Sequence, residues 1–562
     1  MMEMTGFTRR EFLKGALAFA GLGALGARRL LAVPLGWKPS GALRLTFGII
    51  SDTHYMLSLN RETLAEGSTD AYVLNALNYF KSRNVDAVMH CGDMANWGII
   101  KEMQLLADNW FSVFPNNRAP DGHEVAKLFV PGNHDIDGAT NKSERLTAIY
   151  GSDYQQYLLV NSLAESWKSI WKEDYSEAWH KTVKGYHFFG YNAWSGESKF
   201  DANVTASEQA VAELITAADA AGQLDGTKPF FLMSHIRQRR SLKTPLAPYT
   251  NCLGFWGHYH NSCGLWDEGE LCWWEGATFP RLQCPSLHAT ASGNLPDNLP
   301  FAKAKDHLVE GYERMWEAGI NVFQGLLVSV YDDAVVIERH DFDVGHNNAK
   351  IWPDWVMPIA EERYTKANHP FSQTELKKTD QELGAPQFKL YASLGIELDN
   401  EKVRVTIPKA NGNANTRALI FNVEVAGTED ETSLWKSIYA KGCDEGIGYE
   451  ANGGVTVLDI PRDELPAGER LTVRAYPVSP LGLEGTPLSA PLYVTNKVRV
   501  VIDKDSELSR VGEGRYAVTK GANLPNADNL EFVLPKWVKC ATVEDGEIVI
   551  YTKPAPLKMI IR

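Results

Sequence analysis

The stretch Phe47-Gly-Ile-Ile-Ser-Asp52-Thr-His54 is an apolar run that ends in a carboxylate and an imidazole two positions apart. Such a short apolar run predicts a buried strand. Four later segments repeat the design: Ala87–Cys91 before Gly92-Asp93, Lys127–Val130 before Pro131-Gly132-Asn133-His134-Asp135, Phe230–Ser234 before His235, and Gly254–Trp256 before Gly257-His258-Tyr259-His260. Because open α/β sheets bind ligands at the carboxyl ends of their strands, we expect these polar side chains to meet.

The side chains that follow the five runs have the chemistry of metal ligands: Asp52, His54, Asp93, Asn133, His134, His235, His258 and His260. Imidazole, carboxylate and amide oxygen suit borderline divalent metals such as Mn, Fe and Zn, and no thiolate is needed. These candidate ligands outnumber those needed by one ion that keeps a coordination position open for substrate. A carboxylate such as Asp93 can also bridge two ions. The residues therefore predict a pair of ions, about 3.5–4 Å apart, that clamps both oxygens of a displacement at phosphorus.

The order Asp-x-His, Gly-Asp, Gly-Asn-His-Asp, His and Gly-His-x-His resembles the calcineurin-like metallophosphoesterase superfamily. The resemblance implies an α/β fold, with a two-layer β-sandwich flanked by helices. It also implies two divalent ions (Mn, Fe or Zn), the first held by Asp52, His54 and His260, the second by Asn133, His235 and His258, with Asp93 bridging them.

The same resemblance implies an activity, the hydrolysis of a small phosphorylated substrate. A metal-bridging hydroxide would attack phosphorus in line. His134 would not be a ligand but would contact the phosphate and assist the leaving oxygen, and Asp135 would orient its ring. Asp93→Asn would then abolish turnover.

This sequence differs from three groups of the superfamily, and the differences reduce the number of candidate reactions. Purple acid phosphatases have a tyrosine three residues after the motif aspartate, where this chain has Asn96. Phosphoprotein phosphatases carry an arginine shortly after that aspartate, and the segment 92–98 has none. Exported 5′-nucleotidases continue into a nucleotide-binding domain that we do not find. The pattern favours phosphodiesters; the alternatives are a nucleotidase-like phosphomonoesterase and a non-enzymatic binding protein with a vestigial metal site.

Other polar and aromatic residues lack this motif spacing. His90 lies inside an apolar strand and is interpreted as a core or supporting residue. The remaining histidines are interpreted as structural: His123, His180, His187, His288, His307, His340, His346 and His369. Aromatic residues near the motifs either line a pocket or pack in the core: Tyr55, Trp97, Trp194, Trp256 and Tyr259. Arg237, Arg239 and Arg240 either reach a second phosphate or lie in a solvated loop.

The N-terminus predicts export. Thr8-Arg9-Arg10-Glu11-Phe12-Leu13-Lys14, followed by the small and apolar run 15–27, resembles a twin-arginine signal. The run is shorter than the roughly 20 residues that span a membrane. We expect a periplasmic or extracellular protein. Its formal charge of −14, which removal of the signal makes more negative, argues against nucleic-acid polymers as partners.

Changes in composition and in hydrophobic periodicity predict five parts of the chain. They are a twin-arginine signal (1–32), a metallophosphoesterase domain (42–345), a linker (346–385), a fibronectin type III-like domain (386–495) and a small β-rich module (496–562). Residues 264–300, rich in Gly, Pro and Cys, predict loops over the site. The two all-β modules are expected to be spacers or binding modules, which on an exported protein would contact the cell surface or glycans.

Seven cysteines in an exported chain permit disulfides. Cys252, Cys263, Cys272 and Cys284 cluster, so that one or two bridges would brace the loops. The odd count leaves at least one thiol without an intramolecular partner, and Cys91 in its buried strand is the expected one.

Overall fold

The computed structural model describes residues 37–58, 69–137, 143–193, 203–226, 228–236, 238, 242–258, 260, 271–272, 279–288, 323–351, 353–359, 364–365, 368–399, 401–413, 416–427, 433–441, 454–468, 470–480, 482–494, 498–501, 508–512, 515–518, 530–534, 536, 538–544 and 547–552. The predicted twin-arginine segment lies outside these residues. So do Trp194, Arg237, Arg239, Arg240, Tyr259, Cys263 and His307.

The first domain contains twelve strands among the described residues. They are β1 (Leu43–Ile50), β2 (Ala87–His90), β3 (Ala126–Phe129), β4 (Ala178–Val183), β5 (Tyr186–Tyr191), β6 (Phe230–Met233), β7 (Cys252–Trp256), β8 (Leu271–Cys272), β9 (Arg281–Gln283), β10 (Gln324–Tyr331), β11 (Ala334–Asp341) and β12 (Trp355–Pro358). One sheet has the order β12-β11-β10-β1-β2-β3 and the other β4-β5-β6-β7-β9-β8. In both sheets the strands that carry the motifs are parallel, β1-β2-β3 in one and β6-β7 in the other. Strand β5 pairs in parallel with β6.

An aromatic cluster joins the two sheets. The ring of Phe47 in β1 lies 5.2 Å from that of Phe188 in β5 and 4.9 Å from that of Phe231 in β6. All three side chains are fully buried. Because each sheet thus buries one face against the other, the apolar runs of the motif strands belong to a single core.

Helices flank both sheets. They are α1 (Asp70–Ser82), α2 (Ile100–Val113), α3 (Asn133–Asp137), α4 (Ser143–Tyr150), α5 (Leu163–Trp171), α6 (Asn203–Ala220), α7 (Lys243–Leu246) and α8 (Gln373–Leu383). Helix α1 buries Val73, Leu77 and Phe80, as their spacing predicts. Thr69 precedes it without capping it, because its hydroxyl donates to the backbone oxygen of Thr53.

Two segments differ from their predictions. The region 264–300 is not only loops: β9 lies within it and pairs in parallel with β7. The segment 346–385, predicted as a linker, contributes to the first domain: β12 extends the first sheet, and Phe371 and Leu376 pack in the core between the sheets. Periodicity is weak in both segments, so only their partners in space reveal their structure.

A second sandwich follows, with its own core. Its strands are β13 (Gly395–Leu398), β14 (Lys402–Ile407), β15 (Ile420–Gly427), β16 (Ser433–Tyr439), β17 (Thr456–Pro461), β18 (Arg470–Val478) and β19 (Leu488–Tyr493). They form sheets of order β13-β14-β17 and β16-β15-β18-β19. Buried residues alternate with more exposed ones along β14, β17 and β18. The buried side chains of this sandwich form a cluster separate from that of the first domain.

The C-terminal module is also all-β. Its described strands are β20 (Val498–Val501), β21 (Leu508–Gly512), β22 (Arg515–Val518), β23 (Leu530–Val533), β24 (Val538–Glu544) and β25 (Glu547–Thr552). The fold class predicted from sequence, a helix-flanked β-sandwich followed by all-β modules, is therefore confirmed. Within the described part of the chain, no helix combines the length and apolar character needed to cross a membrane.

Among the described residues, four cysteines are free thiols: Cys91, Cys252, Cys284 and Cys540. The sulfur atoms of Cys91 and Cys284 lie 3.4 Å apart in the core. Cys252 and Cys284 belong to the cluster predicted to form bridges, and neither is bridged in the structure. The side chains of Cys263 and Cys272 lie outside the described residues.

The separate cores predict separate unfolding. Ile460 in β17 is 0% exposed, and its replacement by alanine should cost about 2–5 kcal/mol. We expect Ile460→Ala to lower only the thermal transition of the second sandwich in calorimetry of the full chain. Val457→Ala, at a position of the same strand that is 39% exposed, is the control. Loss of bound metal in Ile460→Ala would show that the two cores depend on each other.

Candidate metal centre

The carboxyl ends of five parallel strands supply the predicted ligands. Asp52 and His54 follow β1, Asp93 follows β2, and Asn133 follows β3. The second sheet supplies the rest: His235 follows β6, and His258 and His260 follow β7. The seven side chains therefore lie at the seam between the two sheets.

Five of these residues have left-handed backbone conformations. The φ angles are 52° at Asp52, 43° at His54, 54° at Asp93, 81° at His258 and 52° at His260. Positive φ is uncommon for residues other than glycine and costs on the order of 1–3 kcal/mol where it is strained. Hydrogen bonds between neighbouring loops hold the conformation, including those from the Asp52 amide to the Gly92 carbonyl (2.9 Å) and from the His54 amide to the Asp93 carbonyl (3.0 Å).

The first ligand group contains Asp52, His54, Asp93 and His260, whose candidate donor atoms all lie within 4.8 Å of one another. Nε2 of His260 is 2.9 Å from Nε2 of His54 and 3.2 Å from Oδ1 of Asp52. Nδ1 of His54 lies 3.1 Å from Oδ1 of Asn96, which only accepts hydrogen bonds. The neutral ring of His54 therefore presents the lone pair of Nε2, and a proton or a metal ion is required between it and His260.

The second group contains Asp93, His235 and His258, and Asn133 completes it. Oδ1 of Asn133 lies 3.0 Å from Nε2 of His235 and 2.9 Å from Nδ1 of His258. Nδ1 of His235 donates to the backbone oxygen of Cys91 at 2.7 Å. That bond fixes the tautomer and turns Nε2 of His235 towards the other donors.

Asp93 joins the two groups. Its Oδ2 lies 3.5 Å from Nε2 of His54 and 3.1 Å from Nε2 of His235, while its Oδ1 accepts the backbone amide of His134 at 2.8 Å. Two groups of oxygen and imidazole donors that share one carboxylate suit a pair of divalent ions. The residues fit the cofactor that the sequence predicts.

Burial and neighbouring charges set the protonation of these groups. Burial opposes ionisation of Asp93, but neighbouring histidines, His235 first among them, hold its pKa well below the ordinary value. Burial and the adjacent His235 lower the pKa of His258 to about 4. Burial alone would lower the pKa of His235, yet Asp93 outweighs it and raises that pKa to about 9. A metal ion at Asp93 would compete with the proton of His235.

Residues 45–262 match the sequence model of the calcineurin-like phosphoesterase family. This chain contains a calcineurin-like phosphoesterase domain. The match spans all seven predicted ligands. No curated protein matches the chain.

Solved structures show similarity to this domain at low sequence identity. A dimetal phosphatase from Danio rerio has 12% identity and a TM-score of 0.33, over 57% of this chain and 100% of that chain. A purple acid phosphatase from yellow lupin (Lupinus luteus) seeds has 11% identity and a TM-score of 0.29, over 54% and 52%. A 5′-nucleotidase precursor from Thermus thermophilus has 12% identity and a TM-score of 0.26, over 60% and 58%.

His134 lies beside the first ligand group of the phosphoesterase domain without belonging to it. Its ring centroid is 4.5 Å from that of His54, with the planes at 79°. Nδ1 of His134 lies 2.9 Å from the backbone oxygen of Asn96 and donates to it. Nε2 is therefore the ring nitrogen left for a substrate.

Asp135 does not make the contact predicted for it. Its carboxylate accepts the backbone amides of Ala95 (2.7 Å), Gly132 (2.8 Å) and Met94 (3.2 Å), and Asn96 holds the ring of His134 instead. Burial, with Asp93 nearby, raises the pKa of Asp135 to about 7. Asp135 thus ties the loops after β2 and β3 together, and any effect on His134 is transmitted through the backbone.

The sequence interpretation missed three residues of the site. Asn96 holds both His54 and His134. Glu102, fully buried in α2, accepts the amides of Trp97 (2.8 Å) and Leu57 (3.1 Å) and so joins the loops after β1 and β2; burial raises its pKa to about 8. The ring of His288 lies 4.9 Å from that of His54. Only the position of Asn96, three residues after Asp93, offered a signal in the sequence.

The structure also places His90 and three of the aromatic residues that the sequence analysis singled out near the motifs. His90 is a supporting residue, since its Nε2 lies 3.1 Å from the hydroxyl of Thr53. Tyr55, Trp97 and Trp256 are 0%, 7% and 1% exposed, which favours packing over a pocket. Trp194, Tyr259 and the three arginines 237, 239 and 240 lie outside the described residues.

Gly132 leaves room for Asp93. A Cβ atom at Gly132 would collide with Oδ1 and the backbone nitrogen of Asp93. We therefore expect Gly132→Ala to displace the shared carboxylate and to weaken metal binding about 10–100-fold, as measured by metal titration with elemental analysis. Gly222→Ala, at a remote position where a Cβ meets nothing within 4 Å and where φ is 66°, strains only its own turn and should bind metal like the unmodified protein. Unchanged affinity in Gly132→Ala would refute the role given to Asp93.

Proposed function

We propose that this protein is a metal-dependent phosphoesterase that hydrolyses small phosphodiesters. The observation that carries the proposal is the pair of ligand groups joined by Asp93, with the imidazole of His134 beside the first. Two divalent ions, Mn, Fe or Zn, held by these groups would lower the pKa of a water molecule and polarise the phosphoryl oxygens.

The remaining chemistry belongs to the side chains of the domain. The leaving oxygen of a phosphate ester needs a proton, and Nε2–H of a protonated His134 would supply it. The bond from Nδ1 to the backbone oxygen of Asn96 fixes the ring before substrate binds. The segment 92–98 carries no arginine, which favours the singly charged phosphate of a diester over the doubly charged phosphate of a monoester.

The proposal includes export and a role for the second sandwich. The paired residues Arg9 and Arg10 ahead of a short apolar run support twin-arginine export to the periplasm or cell exterior. The three-plus-four strand arrangement in 386–495 supports a fibronectin type III-like domain. Such a domain on an exported enzyme would be a spacer or would contact the cell surface or glycans, while the negative charge of −14 disfavours nucleic-acid polymers.

The test of the proposed reaction is a comparison of two esters. We expect the mature protein with added Mn²⁺ to hydrolyse bis-p-nitrophenyl phosphate faster than p-nitrophenyl phosphate. Asp93→Asn, which removes the shared charge but keeps the side-chain size, should reduce the rate to background. Faster monoester hydrolysis would replace the proposal with a nucleotidase-like activity. The absence of turnover of both esters by metal-loaded protein would favour a binding protein.

The role of His134 predicts a separation between metal binding and turnover. His134→Ala should keep two metal ions per chain, because its ring lies outside both ligand groups. The rate should fall about 10²–10⁴-fold, as expected for loss of a general acid. Elemental analysis and steady-state kinetics measure the two effects. Loss of an ion from His134→Ala would identify His134 as a ligand instead.

A further inference from the structure

The imidazole of His288 reaches the metal centre from outside the five motifs. The ring centroid of His288 lies 4.9 Å from that of His54 and 5.8 Å from that of His260. The side chain is partly exposed. His288 belongs to neither group of close-packed donor atoms. It therefore lies at the border of the first ligand group, on the side of the solvent.

The segment that carries His288 is fastened to the ligand loops. The amide of Leu287 donates to the backbone oxygen of Ser51 at 3.1 Å. The hydroxyl of Ser286 accepts the amide of His288 at 2.8 Å and donates to the backbone oxygen of Asp52 at 3.1 Å. The amide of Cys284 bonds to the carbonyl of Trp256, next to the loop of His258 and His260. His288 is thus fixed by the same backbone that positions the first group, as a preorganised binding residue requires.

His54 has two imidazole neighbours that are outside the ligand groups. His134 meets its ring at 79° and His288 at 65°, with centroids at 4.5 Å and 4.9 Å. A phosphodiester presents two non-bridging oxygens, and each of them needs a hydrogen-bond donor or a cation when the substrate is withdrawn from water. An imidazole has an N–H donor in either protonation state.

We propose that His288 binds a phosphoryl oxygen of the substrate beside the first ligand group. The inference rests on the proposed phosphoesterase function and adds a substrate-binding residue to it. His288 supplies a donor in a site whose motif loop 92–98 lacks an arginine. His134 serves the leaving oxygen, and His288 holds the phosphate in position.

The test measures binding of inorganic phosphate, which needs no turnover. In calorimetric titration of Mn²⁺-loaded protein, His288→Ala should bind phosphate about tenfold more weakly, as loss of one hydrogen bond to an anion predicts. His288→Gln keeps an N–H donor and should recover part of the affinity. Elemental analysis should still find two ions per chain in both variants. His123→Ala, on the loop before β3 and paired with Asp121, is the matched control.

The outcomes separate the inference from the proposed function. Unchanged phosphate affinity in both His288 variants overturns the role, and loss of one ion shows that His288 is a metal ligand. With diester substrate, the role predicts a raised KM with a smaller change in kcat. If the unmodified protein binds two ions and phosphate but hydrolyses neither nitrophenyl ester, the proposed function fails, whereas the phosphate-binding role of His288 is still decided by the titration.

Discussion

The metal centre depends on a single carboxylate that must lie within reach of two groups of imidazoles. Asp93 meets this requirement because its backbone takes a left-handed turn at φ 54° directly after β2. Gly132 lacks the Cβ that would block it, and the amide of His134 fixes its second oxygen. Asp135, in the loop after β3, then ties that loop to the turn by accepting the backbone amides of Met94 and Ala95. The surrounding loops are therefore shaped to hold one charged side chain in an otherwise unfavourable conformation.

The convergence of the candidate ligands could be predicted from sequence because two simple patterns coincide in these residues. An apolar run that ends in Asp or His indicates both a buried strand and a donor at its end, and parallel strands bring those ends together. The backbone angles of the ligands follow no such pattern. Residue types also do not reveal that Asp135 accepts hydrogen bonds from backbone amides while the backbone oxygen of Asn96 holds the ring of His134. Carboxylates and carbonyl oxygens compete for the same donors, and packing decides which of them is close enough.

His288 and β9 illustrate a second limit of prediction from sequence, namely structure that depends on contacts with distant parts of the chain. Their segment is rich in Gly, Pro and Cys, which predicts loops, and β9 has only three residues, Arg281–Gln283. Its strand character comes from pairing with β7. The position of His288 comes from bonds to Ser51 and Asp52, more than 230 residues earlier in the chain. Such contacts leave no periodic signal. The second sandwich was easier to predict because buried residues alternate with more exposed ones along β14, β17 and β18.

Both ligand groups take side chains from both sheets. The first combines Asp52 and His54 from one sheet with His260 from the other, and the second combines Asn133 with His235 and His258. An ion in either group would therefore connect the two sheets. Metal binding and packing of the sheets against each other are then linked equilibria, because the ion binds only when both sheets are in place. Several divalent metals bind such donors, and the geometry of the site alone does not select one of them. The concentration of each available metal also decides which one binds. The compartment in which the two layers first close would thus help to decide which metal these groups bind.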